Sequence, residues 1–90
     1  MLRKPQITIA NYTPLTIYKV FVTECKDREK FKNTPYSGTL LVENIHTNEF
    51  IVKEYRAQCV DITAYDKDGF VVGRQVNVSI PPNLVWKIRN

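Results

Sequence analysis

The sequence predicts an all-β domain, a small antiparallel two-sheet sandwich of about seven strands. Three observations carry that expectation. Val, Ile, Thr, Tyr and Phe, the residue types that fit a pleated and half-buried surface, arrive in runs of roughly five to nine residues. Pro, Asn, Asp and Gly break the runs about every 8–12 residues, the spacing of short strands joined by tight turns. Within the runs apolar side chains recur at every second position, which is the period of a strand and not of a helix.

Residues 6–11 read as the first strand, with Ile7 and Ile9 on one face. Pro14 lacks an N–H and biases Thr13 toward extended geometry, so a turn follows. Residues 15–23 form a second strand, in which Leu15, Ile17 and Phe21 alternate against Tyr18, Val20 and Val22. Apolar side chains on both faces predict a central strand or one covered on both sides. Residues 24–37 are the longest irregular segment; the charges of Lys26 to Lys30 are spaced for one helical turn, and Pro35 ends it. The third strand covers residues 38–45, with Leu40 and Val42 opposite Leu41 and Ile45. A polar turn at His46, Thr47 and Asn48 leads to a fourth strand, residues 49–55, carrying Phe50 and Val52 on one face.

The clearest local signal is next. Val60, Ile62 and Ala64 alternate with Asp61, Thr63 and Tyr65, and Asp66-Lys67-Asp68-Gly69 interrupts before Phe70. A type I turn followed by glycine in the left-handed region makes a bulged hairpin, so residues 58–65 pair with residues 70–78. Pro81-Pro82-Asn83 breaks the chain again. Leu84, Trp86 and Ile88 then define a last strand, with Val85 and Lys87 on the other face, and this alternation assigns Trp86 to the core.

Ninety residues, 43% hydrophobic and 24% charged, set a single domain spanning residues 1–90 with one modest core. The apolar stretches are far shorter than the roughly 20 residues of a membrane-spanning helix. Met1 to Gln6 runs through Arg3, Lys4 and Pro5 with no apolar segment behind it, so no secretory signal is visible. The net charge of +4 favours acidic partners and influences solubility and encounter rates. Cys25 and Cys59 leave the redox compartment open. Paired, they would close a loop of about 35 residues, worth about 3.8 kcal/mol in the chain-entropy model; unpaired, Cys59 would be a small buried hydrophobe in a strand.

From Gly38 onward the chain resembles the bacterial FxLYD-type immunoglobulin-like domains. The matching residues are Gly38, Leu40, Val42 and Asn44, then Ile62-Thr63-Ala64-Tyr65-Asp66, then Asp68-Gly69, Pro82 and Trp86. Ala64 stands where that pattern has Leu, and Asn83 where Gly often follows the proline. The resemblance covers about half the chain. It implies an immunoglobulin-like sandwich and an extracytoplasmic setting, and no activity.

Enzymatic readings find little to build on. His46, the one histidine, sits in a polar turn, and hydrolytic chemistry needs a base held beside a nucleophile by a third group. The nearest thing to a metal site is Asp61, Asp66 and Asp68, since Ca²⁺ favours clustered carboxylates, although aspartate also suits this turn for backbone reasons. No zinc spacing occurs, and Gly38, Gly69 and Gly73 form no phosphate-cradling loop. No cofactor is expected. Two binding readings remain. Lys26, Arg28, Lys30, Phe31, Lys32 and Tyr36 share the long loop, a basic and aromatic set that fits either a protein partner or single-stranded nucleic acid. Sheet edges offer a further surface for strand addition or a homo-oligomer. The leading expectation is a non-catalytic protein-interaction module; the alternatives are a basic nucleic-acid-binding β domain and a small secreted or phage-encoded effector or inhibitor. Asn11-Tyr12-Thr13 and Asn77-Val78-Ser79 match the N-glycosylation acceptor pattern, which matters only in a eukaryotic secretory setting.

Overall fold

Among the described residues, seven strands form in chain order: β1 (Gln6–Asn11), β2 (Ile17–Glu24), β3 (Thr39–Ile45), β4 (Phe50–Glu54), β5 (Val60–Tyr65), β6 (Val71–Val78) and β7 (Asn83–Ile88). The computed structural model describes residues 5–31, 38–79 and 83–89, without the side chains of Phe31 and Asn83. Two short 3-10 turns, Cys25–Asp27 and Glu29–Phe31, stand where the charge spacing suggested one helical turn. Lys32, Pro35 and Tyr36 lie outside the described residues. No helix among the described residues is long and apolar enough to cross a membrane.

The strands make two sheets, β4-β1-β7 and β3-β2-β5-β6. The expected small sandwich is therefore present, with one parallel pairing, β1 with β7, among its antiparallel ones. Immunoglobulin constant-type domains place their first, second, fourth and fifth strands together. Here the first strand instead lies between the fourth, antiparallel, and the seventh, parallel. The apolar second strand is indeed central, between β3 and β5, and the hairpin of β5 with β6 forms as its turn chemistry requires. In that turn Gly69 N–H donates to the Asp66 carbonyl at 3.1 Å, Gly69 has φ 85°, and Asp66 Oδ1 accepts from the N–H groups of Asp68 and Phe70.

The core lies between the sheets. Ile7, Ile9, Trp86 and Ile88 meet Val20, Val22, Val60, Ile62 and Ala64, all buried. Trp86 is in the core as its alternation indicates, and its Nε1–H donates to Gln75 Oε1 at 3.0 Å, linking edge strand β7 to edge strand β6 of the other sheet. Gly73 permits this close approach, since a Cβ there would lie 3.3 Å from Ile88 Cγ2. Tyr55 packs half-buried against the core. Phe50 and Val52 share a face, but that face points to solvent, and β4 sends Ile51 inward instead. Leu15 precedes β2 and is exposed.

Candidate functional site at the disulfide end

The register of β2 with β5 pairs Glu24 with Val60, so one further step brings Cys25 opposite Cys59. Their Cα atoms are 5.4 Å apart, inside the range that a disulfide spans, and the two sulfurs are bonded. Cys25 N–H also donates to the Cys59 carbonyl at 3.0 Å, extending the ladder through the bridge. The chain leaves Cys25 in the first 3-10 turn, and Arg28 folds back beneath it.

Arg28 makes a bidentate pair with Asp61, Nε to Oδ2 at 2.7 Å and Nη2 to Oδ1 at 2.9 Å, and Nη2 also donates to Asn77 Oδ1. Asp61 is nearly buried, and its Oδ1 accepts the Asn77 N–H at 3.1 Å as well. A planar guanidinium fork on a carboxylate fixes both distance and orientation, which a lysine would not do. The Arg28 hydrogen bond and charge hold the Asp61 carboxyl below the usual carboxylate range, against an opposing effect of burial. Asp61 raises the Arg28 guanidinium correspondingly.

Arg28, expected among the partner-binding cations, is held by Asp61 as a strut for the loop while its side chain stays 37% exposed. One expectation is corrected by this geometry. Asp61, Asp66 and Asp68 were grouped as a calcium candidate, but Asp61 stands at the start of β5 and pairs with Arg28, while Asp66 and Asp68 sit beyond its end, in the hairpin turn. No group of three potential metal-ligating side chains occurs among the described residues. The separation of these carboxylates follows from strand geometry, since five residues of β-strand extend about 16 Å.

The other loop cations face outward. Lys26 is exposed, with its Nζ 3.7 Å from Glu24, a surface pair of little energetic weight. Lys30 is exposed in the second 3-10 turn, and Phe31 ends that turn. Lys32 and Tyr36, the remaining members of the expected set, fall outside the described residues. His46 is exposed in its turn, where its N–H donates to Glu49 Oε1. An open groove of about 730 Å³ runs beside the bridge, walled by the cystine, Pro5 and Ala57, with Lys26 and Arg56 at its rim. Arg56 was not singled out from the sequence. It belongs to the link between β4 and β5, and only the folded register carries that link past Cys25.

The cluster has a pH signature. A folded-state carboxyl held low contributes stability above the unfolded value near pH 4, and loses it as pH falls through the lower folded value. Asp61→Asn should therefore melt below the wild type at neutral pH, and the two melting curves should converge as pH falls below about 4. A constant gap from pH 7 to pH 2 in thermal melts would show that the Asp61 charge does not carry the effect.

No family model matches the chain, and no curated protein or solved structure shows significant similarity to it. The disulfide end is thus read on its own geometry, as a short charged loop fixed to a rigid sandwich.

Proposed function

We propose that this domain is a non-catalytic protein-interaction module that engages an acidic partner through the Cys25–Phe31 loop and the groove beside it. The observation that carries this reading is the double tether of the loop. The cystine fixes its start, and Arg28, bridged to Asp61 and Asn77, fixes its middle. A recognition loop held in one geometry before contact loses less conformational entropy on binding, so more of the contact energy appears as affinity. Loops on rigid scaffolds are also where recognition residues concentrate. Lys26, Lys30 and Arg56 are exposed cations at this end, interleaved with Glu24, Asp27 and Glu29, and they are the groups with which a partner's carboxylates would pair. The disulfide supports an oxidising setting, in keeping with the extracytoplasmic context that the FxLYD resemblance implies.

The test compares the wild-type chain with a Lys26→Glu, Arg56→Glu double variant, both kept oxidised. Both side chains are exposed, so the melting temperature should change little. A protein captured by the wild type should be lost by the variant, and its association rate should fall as salt rises. Equal retention by both chains would remove this site. A salt-steep gel shift with single-stranded oligonucleotides and no protein capture would favour nucleic acid instead.

A further inference from the structure

The outer face of the β4-β1-β7 sheet departs from the alternation that a solvent-exposed sheet face ordinarily shows. Phe50 and Val52 on β4 and Val85 on β7 are 55%, 56% and 52% exposed. Tyr12, just past β1, sets its ring edge-on to Phe50 with centroids 5.8 Å apart. These side chains belong to ordered rows across the sheet. One row reads Phe50, Ala10, Lys87, and the next reads Val52, Thr8, Val85. Gln6 and Glu54 then form a polar row. Ala10 is 1% exposed although it lies on this face, which its two flanking side chains explain.

From the order of these rows we propose that this face is covered by a second copy of the chain, in a two-fold dimer whose axis runs along central strand β1. Such an axis lays β4 of one copy over β7 of the other. Val52 then meets the partner copy's Val85, and Phe50 meets its Lys87. The middle row closes apolar on apolar, and the upper row sets an ammonium over an aromatic face, an attraction that grows when both groups lose water. Both contacts occur twice, as an isologous interface requires. Turning the copy about an axis across the strands would also close the middle row on itself, but it would lay Phe50 on the partner copy's Glu54, a carboxylate on the negative face of an aromatic ring. The sheets would stack nearly aligned, the common mode of sheet-on-sheet packing. Three strands make a small interface, and two copies of charge +4 repel, so the dimer is weak and best populated at physiological salt.

Sedimentation of the oxidised chain from about 10 µM to about 1 mM tests it, the range in which a small interface titrates. The weight-average mass of the wild type should climb toward twice the monomer value. Phe50→Lys sets cation on cation and should hold the mass at monomer. Adding Lys87→Phe to that variant exchanges the two partners and should restore the climb. Val52→Glu is a second disrupting variant, and circular dichroism confirms that each chain stays folded. A wild type that remains monomeric throughout, a dimer indifferent to Phe50→Lys, or a double exchange that fails to restore association would each overturn the proposal. None of these variants touches the disulfide end, so the result is independent of the loop reading.

Discussion

Replacing both Cys25 and Cys59 with alanine should lower stability by about 3.8 kcal/mol, or roughly 15–30 °C in melting temperature for a domain of this size. The two residues lie 34 apart in sequence, so the unfolded chain regains a long loop whose closure the bridge had enforced. A domain of this length is stable by only about 5–13 kcal/mol in all, so the loss is a large fraction of the total. The local consequence is as large. With the bridge gone, the loop hangs from the Arg28–Asp61 pair and from the backbone hydrogen bond between Cys25 and Cys59. Loop geometry would then couple to the ionisation of one carboxylate, and the acid limb of the melting curve should steepen. The measurement is a thermal melt of the wild type with and without reductant, beside the double variant. Wild type plus reductant should match the double variant, which should itself ignore reductant. A shift smaller than about 5 °C would mean that the register of β2 with β5 persists in the unfolded ensemble and the cross-link adds little.

How far the sequence led can be seen residue by residue. Ile7 and Ile9, Val60, Ile62 and Ala64, and Trp86 and Ile88 sit inward where alternation placed them, because in each strand the opposite phase carries at least one polar or charged residue: Gln6 and Thr8, Asp61 and Thr63, and Lys87. The Asp66–Phe70 turn was legible for a different reason: a short polar side chain and a glycine at φ > 0 are local requirements. Strand β4 defeated the same logic. Phe50, Ile51 and Val52 are all apolar, so period two gives two equal answers, and the larger pair goes outward. Its inward phase is set by β1 pairing Ile51 with Ile9, a contact between segments distant in sequence. The functional end failed for the same cause. Arg28 and Asp61 are 33 residues apart, and nothing near either one distinguishes a structural strut from a solvated loop charge. The cystine likewise depends on the pairing of β2 with β5, which no local turn dictates. Short-range chemistry was readable; every long-range register was not.

Asn11 shows the same divide most sharply, and substituting it should rank among the most destabilising changes in the domain. The sequence marks it only as the end of a strand and the first residue of a glycosylation pattern. In the fold it is fully buried, and every hydrogen-bonding group of its amide is used. Nδ2 donates to the Leu15 carbonyl at 2.8 Å and to the Ile45 carbonyl at 2.9 Å, while Oδ1 accepts from the Thr13 N–H at 2.9 Å and the Thr13 hydroxyl at 2.7 Å. The side chain thereby ties the end of β1 to the connection into β2 and to the end of β3 in the other sheet. Both amide hydrogens are committed inside, so the folded chain offers no acceptor nitrogen at Asn11-Tyr12-Thr13. In Asn11→Ala the Thr13 hydroxyl still has the Leu15 carbonyl, 3.0 Å away, but the Thr13 N–H and the Ile45 carbonyl lose their partner. Two orphaned buried groups at about 1–3 kcal/mol each, with a small cavity, give an expected loss of about 3–4 kcal/mol in urea denaturation. Asn11→Asp keeps the shape but turns a carboxylate toward two carbonyl oxygens, so burial and repulsion should raise its folded-state value above the unfolded one. A carboxyl raised on folding gains stability as pH falls, the reverse of Asp61. Asn11→Asp should therefore be worst at neutral pH and recover relative to wild type on acidification. Thr13→Val, combined with Asn11→Ala, should cost clearly less than the sum of the two single losses, because both remove the same contact. Strict additivity, or an Asn11→Ala loss under about 1 kcal/mol, would mean that water fills the site and that the two sheets are joined at this end by apolar packing alone.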